Sequence, residues 1–295
     1  MTTLRLMASR HSVFYTPLLA TFSGGFLQQE GLDATYSVVP SGHTVGEFIA
    51  SGEADVVQSA VSYSWAVLET GGVPPAVNFA HINTRDGFFI AARTPDPSFN
   101  FRRLLDKRLM FVHGGQPQAM LRYALHKHGV ELSSLKTMDA GTTELMMEAF
   151  RSAQGDYFHE QAPYPQQLAD EGLAHVVGSV GEAIGPVSFS TLAASPRWLS
   201  TPRAVKFMRA YRKARAWAQG GNPKHIAQRL AYLFPGISEA ALIGGVEAYQ
   251  RLGCWSGDVE ISAPMYDVAL DVFQHSGLIR WRWPMDQAVV KPPDA

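Results

Sequence analysis

The feature that most constrains the fold is a unit that occurs twice, as FIASGEADVVQSAVS (48–62) and AFRSAQGDYFHEQAP (149–163). Each copy predicts a helix ending near small residues and glycine, a turn with an aspartate (Asp55 or Asp156), and a buried strand followed by polar residues. Alternating strands and helices form largely parallel sheets, which bind ligands at the carboxyl ends of their strands. Two copies therefore predict two α/β lobes, with a cleft between two such edges.

The unit belongs to two series of alternating strands and helices. In the first series, TLRLMAS, LDATYSVVP and ADVVQSA predict strands, and the segments between them predict helices, the first of which stops at Gly31. PAVNFAHIN and GFFIAART predict two more strands, separated by a turn at 84–86. The second series starts at RLMFVHGG, and a glycine lies just past each of its helices, where a residue that tolerates positive φ closes the turn cheaply.

The boundary between the lobes is predicted from a change in composition. TPDPSFNFRRLLDK contains two prolines and a charge cluster, and we place the first crossing between lobes there. The resulting fold is α/β, with lobe one formed by residues 1–93 and 189–295 and lobe two by residues 94–188. The later part of the chain predicts helices that pack around lobe one, at 202–219, 223–233, 238–251 and near 265–275.

Composition excludes several classes of protein. With 46% hydrophobic and 17% charged residues and a net charge of -1, the 295-residue chain is neither disordered nor strongly charged, so nucleic acid is not expected as a partner. Cys254 is the single cysteine, which excludes an internal disulfide and a thiolate metal cluster, and no metal or cofactor is predicted. No apolar run approaches the roughly 20 residues of a membrane helix. The sequence as it stands lacks a secretory signal and predicts a cytoplasmic protein, or a periplasmic one if a leader had been removed.

The succession of segments resembles a known family, the type II periplasmic binding proteins for nitrate, sulfonates and taurine, together with the related thiamine-pyrimidine synthase group. The resemblance is carried by GFLQQEGLDATYSVVPSG, FIASGEADVV, HGVELSSLKTMDAG and AFRSAQGDYFHEQAPYPQQLADEG, and it extends from Leu4 to Trp217. It implies two α/β lobes, the second inserted in the first and joined to it by two crossing strands that act as a hinge, closing on a small ligand. The synthases have a cysteine-rich iron-binding motif that this chain lacks.

Two loops of lobe one supply candidate ligand-binding residues. His11 and Tyr15 follow the first strand, where they offer a hydrogen-bond donor and an aromatic wall, although an aromatic residue there also fits the core of the next helix. Arg85 lies near the ends of the later strands and can bind two oxygens of a carboxylate with its guanidinium group. A solvated arginine in a turn is the simpler interpretation.

Two helix starts in lobe one supply further candidates. Ser41 and Gly42 lie at a predicted helix start, where free backbone N–H groups and the helix dipole favour an anionic group. Ser59 and Ser62 follow the third strand, where a hydroxyl group can cap the next helix or bind a ligand oxygen. We favour ligand binding for Ser59, and capping for Ser41, which does not exclude contact with a ligand.

In lobe two, Gly114, Gly115 and Gln116 follow a strand and open a helix, so their backbone N–H groups can approach a carboxylate, sulfonate or phosphate. An ordinary turn between strand and helix explains them equally well. Thr142 is an N-cap and a second possible donor. Glu160 ends a buried strand, where a carboxylate must be paired, solvated or bound to a ligand. We expect it in the cleft, with a hinge or salt-bridge role as the alternative.

The first functional hypothesis is a substrate-binding protein that closes on a small organic anion, such as a sulfonate, a carboxylate or an aromatic acid, and delivers it to an ABC permease. The alternative is a cytosolic enzyme of the same fold that acts on a small aromatic or thiamine-precursor-like acid, with acid/base chemistry from His11 and Glu160. No catalytic residue is assigned from the sequence. A third hypothesis, a regulator or partner subunit, predicts exposed apolar surface around Trp281 and Trp283.

Overall fold

A computed structural model describes residues 2–294 and contains two five-stranded sheets. The first sheet has the spatial order β2-β1-β3-β10-β4 and the second the order β7-β6-β8-β5-β9. The strands are β1 (Thr2–Ala8), β2 (Leu32–Val38), β3 (Val56–Ser59), β4 (Val77–Asn83), β5 (Phe88–Ala92), β6 (Arg108–Phe111), β7 (Lys136–Met138), β8 (Tyr157–Gln161), β9 (His175–Ser179) and β10 (Ser190–Ala194). The predicted α/β fold with two lobes is confirmed.

Helices connect the strands and form most of the C-terminal part. They are α1 (Thr16–Ser23), α2 (Phe26–Gln29), α3 (Val45–Ala50), α4 (Val61–Glu69), α5 (Gly115–Lys127), α6 (Thr143–Arg151), α7 (Tyr164–Asp170), α8 (Val180–Ile184), α9 (Pro196–Leu199), α10 (Pro202–Gly220), α11 (Pro223–Leu230), α12 (Glu239–Leu252) and α13 (Ala263–His275). The helix predicted to run to Gly31 is instead divided into α1 and α2, because Gly25 lies between them with φ 81°. Thr201 caps α10 as predicted, and its side chain accepts a hydrogen bond from Ala204 N.

Each sheet contains one antiparallel strand. β10 runs antiparallel to both of its neighbours in the first sheet, and β5 does the same in the second. The chain passes from the first sheet into β5 of the second through the crossing segment 84–87. It returns to the first sheet, at β10, through the crossing segment 185–189. The second sheet is thus inserted in the chain that forms the first.

The sheets also show where the chain crosses. Strand β5, which the predicted bounds assign to lobe one, is hydrogen-bonded in the second sheet between β8 and β9. The two strands expected on either side of a turn at 84–86 therefore belong to different sheets. All five residues of β5 are buried, as expected for a central strand that is covered on both faces.

The C-terminal helices pack against lobe two as well as lobe one. Ser238, the N-cap of α12, donates its backbone N–H to Gln167 in α7 over 2.9 Å, and Ser276 after α13 contacts the Ala119 carbonyl group in α5. In the region of the third hypothesis, Trp283 donates to Glu69 and is partly buried, whereas Trp281 remains 66% exposed. The expectation that this part of the chain packs only around lobe one is therefore incomplete.

Candidate functional site between the lobes

A cavity of about 620 Å³ lies where the two sheets face each other. Its walls come from the segments after β1 and β2, the last residues of β3 and β8, the first residues of α4, α5, β5 and β10, and the end of α13 with the residues that follow it. The carboxyl ends of parallel strands and the beginnings of antiparallel ones meet at the same sheet edge. The cavity therefore lies where open α/β sheets bind their ligands.

Two helices from opposite lobes begin at this cavity. α4 follows Ala60 and α5 follows Gly114, and neither N-cap side chain forms a capping hydrogen bond. Ser62 in the first turn of α4 donates to the Gln116 side chain in the first turn of α5 over 3.3 Å. The first backbone N–H groups of a helix have no partner within it, and they carry the positive end of the helix dipole. Both helix starts therefore favour negative charge in the cavity.

Arg10 is the cation of the cavity wall, and it joins the lobes. Its Nη2 lies 2.5 Å from both carboxylate oxygens of Glu160 in β8 and donates to Thr143 over 3.2 Å. Glu160 is fully buried and also accepts hydrogen bonds from Thr143 and from the backbone N–H of Gln161. Burial acts to lower the pKa of Arg10, but Glu160, together with Tyr15 and Tyr164, raises it overall. Arg10, which is partly exposed, and the fully buried Glu160 thus form an ion pair between the lobes.

The guanidinium group of Arg10 keeps donors for a further partner. Within residues 2–294, only its Nη2 forms hydrogen bonds, while the side chain lines the cavity. The guanidinium carbon also lies 5.4 Å from the centroid of the Phe88 ring. The remaining N–H groups are available to an anion in the cavity.

Five of the seven lobe-one candidates line the cavity, namely Tyr15, Ser41, Gly42, Ser59 and Ser62. His11 and Arg85 do not. His11 is held by the Tyr36 hydroxyl group at 2.9 Å and the Leu233 carbonyl group at 2.8 Å, and its ring stacks on Phe234. Arg85 lies in the first crossing segment and donates to the Gly181 carbonyl group over 3.4 Å. Both side chains have structural partners.

Of the lobe-two candidates, Gly115 and Gln116 line the cavity, and Gln116 also donates to the Phe189 carbonyl group over 2.8 Å. Gly114 is the N-cap of α5, and its N–H donates to Gln118. Thr142 is the exposed N-cap of α6, and the adjacent Thr143 holds Glu160. Glu160 was expected in the cleft, with a salt bridge as the alternative, and the structure shows the salt bridge, with Arg10. A ligand contact of any candidate stays a prediction.

Sequence reasoning missed several polar residues of the cavity, among them Arg10 and Gln161. Arg10 lies just after β1, and the rule that selected Ser59 at the end of β3 applies to it as well as to its neighbour His11. Gln161 is the last residue of β8, next to Glu160. The rule that polar residues at the carboxyl ends of strands face the cleft would have found both.

Two buried titratable groups lie next to the cavity. Burial lowers the pKa of His159 to about 3, and the charge of Arg10 acts in the same direction. Burial raises the pKa of Asp86, in the first crossing segment, to about 8, although a hydrogen bond from Phe88 N opposes this. At neutral pH, His159 is therefore uncharged and Asp86 is mainly protonated, so neither adds a charge to the cleft.

The described part of the chain contains neither a group of His, Cys, Asp or Glu side chains arranged to hold a metal ion nor a helix long and apolar enough to span a membrane.

Comparison with known proteins identifies relatives. The putative binding protein YtlA of Bacillus subtilis is 26% identical over 298 residues, which cover 99% of this chain and 88% of the relative. Among solved structures, the alkanesulfonate-binding protein SsuA of Xanthomonas axonopodis pv. citri, bound to MOPS, matches with a TM-score of 0.73 at 17% identity and 99% coverage of both chains. The periplasmic nitrate-binding protein NrtA of Synechocystis matches with a TM-score of 0.72 at 17% identity, covering 98% of this chain and 86% of that protein.

These structural matches establish the fold, and a family model establishes the family. The model of the NMT1/THI5-like family matches residues 13–225, which include every strand except β1 and cavity-lining residues of both lobes. The resemblance seen in the sequence is thereby confirmed, and the chain belongs to the NMT1/THI5-like family.

Proposed function

We propose that the protein is a substrate-binding protein that closes on a small organic anion between its lobes and delivers it to an ABC permease. One observation carries this proposal: the starts of α4 and α5, from opposite lobes, and the Arg10 side chain meet at one cavity. An anion bound there contacts both lobes, so its binding favours the closed arrangement.

The charge of the cleft favours a ligand with a single negative charge. Glu160 neutralises Arg10 formally, and the two helix starts each contribute the equivalent of roughly half a positive charge. A dianion would have little compensation for its second charge. The volume of about 620 Å³ and the apolar walls at Phe88, Phe189 and Ile279 suit an organic anion with an apolar body.

The relatives support this proposal. SsuA and NrtA are described as binding proteins for an alkanesulfonate and for nitrate, and YtlA is described as a putative binding protein. Delivery to a permease would require a location outside the cytoplasm, in contrast to the expectation from the N-terminal sequence. Fractionation of cells that express the native gene decides between the two locations.

Native mass spectrometry of freshly purified protein, followed by calorimetric titration with alkanesulfonates, benzoates and nitrate, tests ligand binding directly. We expect at least one organic anion to bind more tightly than nitrate does. Chemical turnover of the bound anion would overturn the assignment as a binding protein and support an enzyme. His11 and Glu160 do not favour that alternative, because neither lines the cavity and both are held by other residues.

The contribution of Arg10 is tested with the double variant Arg10→Met, Glu160→Gln, which avoids leaving a buried carboxylate unpaired. We expect the variant to fold and to bind the anion at least about tenfold more weakly, because charge-assisted hydrogen bonds are lost. Arg229→Met, on α11 away from the cavity, is the control and should bind as the wild type does. Unchanged affinity of the double variant would refute the role of Arg10.

A further inference from the structure

A tyrosine of the cavity wall lies directly against a glycine of α3. Tyr63, in the first turn of α4, lines the cavity, and its side chain reaches across to Gly46. A Cβ atom at Gly46 would lie 1.5 Å from the Tyr63 hydroxyl oxygen and 2.5 Å from its Cζ. Both distances are far shorter than a van der Waals contact. Tyr63 therefore occupies this position only because residue 46 has no side chain.

The backbone of α3 does not itself require this glycine. Gly46 is the second residue of the helix, and its φ lies outside the left-handed region. At a helical position of this kind, alanine is more favourable than glycine, because glycine loses more conformational freedom on folding. The close approach of Tyr63 is thus the contact that glycine permits and alanine would not.

If residue 46 had a side chain, Tyr63 would have to move toward the cavity. On its other side, the tyrosine packs against a buried apolar cluster that contains Val45 and Ile49 of α3 and Val57 of β3. Moving α3 away would expose Val45 and Ile49, which are buried. The side chain of Tyr63 is only half-buried, so its displacement costs less than separating α3 from the cluster.

Tyr63 borders an apolar part of the cavity. Ala66, one turn later on the same face of α4, lines the cavity beside it, as do Val39 and Val45. Apolar walls of this kind contact the body of a ligand, whereas its anionic group meets Arg10 and the helix starts. The position of Tyr63 consequently determines how much room the body of the ligand has next to α3.

From this contact we infer that Gly46 sets the upper size of the ligand, because it lets Tyr63 lie back against α3 and leaves this part of the cavity open. The inference rests on the proposed function and concerns the size of the organic anion, whichever acidic group it carries. In the competing arrangement, the body of the ligand extends toward Phe273 and Ile279 at the end of α13. That arrangement predicts no effect of Tyr63 on ligand size.

Two homologous series of ligands test the inference by calorimetric titration. The probes are the straight-chain sulfonates from ethanesulfonate to decanesulfonate and the alkanoates of the same chain lengths. In the wild type, burial of each added methylene group should raise the affinity about three- to fourfold until the chain fills the cavity. In Gly46→Ala, the rise should stop at least one methylene group earlier, because the Tyr63 hydroxyl oxygen has to move by about 1.5 Å to clear the added Cβ atom.

Further variants assign this effect to Tyr63. The double variant Gly46→Ala, Tyr63→Ala removes the clash and should accept chains at least as long as those that the wild type accepts. Tyr63→Ala alone should accept longer chains, and it tests the inference if Gly46→Ala does not fold. Gly244→Ala is the matched control, because a Cβ atom at this helical glycine of α12 would meet only the Gln166 side chain, at 3.5 Å, away from the cavity.

The outcomes separate the inference from the proposed function. An unchanged or greater chain-length limit in Gly46→Ala would overturn the inference and leave the proposed function intact. A limit that stays short in the double variant, or stays unchanged in Tyr63→Ala, would do the same. Failure of the wild type to bind any member of either series would refute the proposed function, and the inference with it.

Discussion

Asp55 and Asp156, the acidic residues of the repeated unit, have the same structural role in the two lobes. Each lies just before a strand, accepts a hydrogen bond from the backbone N–H of an arginine in the adjacent strand, and donates its own N–H to the carbonyl group of that arginine. The partners are Arg5 in β1 and Arg108 in β6, which occupy equivalent positions in the two sheets. The acidic residue of the unit thus connects the start of its strand to the neighbouring strand, and neither aspartate lines the cavity.

The two aspartates differ in how strongly they are held. Asp55 is buried and also accepts from the Arg5 guanidinium group at 2.9 and 3.0 Å, whereas the corresponding Arg108–Asp156 ion pair is 3.7 Å long. For Asp55→Asn we expect a loss of about 1–2 kcal/mol in the free energy of unfolding at pH 7, and less than about 1 kcal/mol for Asp156→Asn, the matched control. Urea unfolding of both variants measures the difference, and equal losses would contradict this ranking.

The effect of Asp55→Asn should depend on pH. Burial acts to raise the pKa of Asp55, but the hydrogen bonds and charge of Arg5 lower it overall. A carboxyl group with a lowered folded-state pKa stabilises the protein above its unfolded pKa of about 4, and this contribution disappears as the pH falls through the folded-state value. The difference in stability between the two proteins should therefore shrink progressively as the pH falls below about 4. A constant difference from pH 7 to pH 3 would show that the charge of Asp55 contributes nothing.

The cavity residues illustrate what a sequence can predict about a site. Tyr15, Ser59 and Gln116 could be predicted because each follows a strand that has a clear apolar pattern. The pairing of Arg10 with Glu160 could not, because it joins residues 150 positions apart and depends on how the lobes meet. A buried carboxylate predicts that a partner exists, but the sequence does not identify that partner.

Among the elements, the crossing strands were the hardest to assign. β4 and β5 are both apolar and flank a short polar segment, a pattern that is also typical of two strands of one sheet joined by a turn. The sheet that each strand joins depends on non-local pairing, and β5 pairs with strands that lie about 70 and 90 residues later. The helices of the C-terminal part were predicted to within a few residues, because their caps and periodicity are local signals.

Packing of α8 against the first crossing segment depends on Gly181. A Cβ atom at this position would lie 2.1 Å from the backbone oxygen of Asp86, and backbone cannot move aside as a flexible side chain can. We expect Gly181→Ala to lower the free energy of unfolding by about 2–3 kcal/mol through overpacking. Thermal or urea unfolding measures this change.

The control for this substitution is Gly220→Ala at the end of α10. No atom lies within 4 Å of a Cβ built there, so the change should be neutral or slightly stabilising. Similar effects of the two substitutions would mean that α8 and the crossing segment separate easily, and that the close contact at Gly181 is unimportant.

Helix α12 connects the two lobes beside the cleft. The Tyr249 hydroxyl group donates to the Gly87 carbonyl group in the first crossing segment and accepts from the backbone N–H of Ala162 just after β8. Ser12 in lobe one also donates to the Ala162 carbonyl group over 2.8 Å. The lobes therefore have to open about the hydrogen bonds at Gly87 and Ala162, which are buried. Inside the cleft, the Arg10–Glu160 pair is an ionic contact between the lobes.

Removing one partner of that pair should change the shape of the ligand-free protein. In Glu160→Gln, Arg10 loses its carboxylate partner, and a cation in the cavity wall without a counter-ion is stabilised by admitting water. We expect small-angle X-ray scattering to give a radius of gyration above the roughly 19 Å of a compact chain of this length, because the lobes move apart. Glu30→Gln is the control, since Glu30 pairs with Arg209 and Lys213 within lobe one and should leave the radius unchanged. Equal radii for wild type and Glu160→Gln would mean that α12 and the hinge hold the lobes closed without the ion pair.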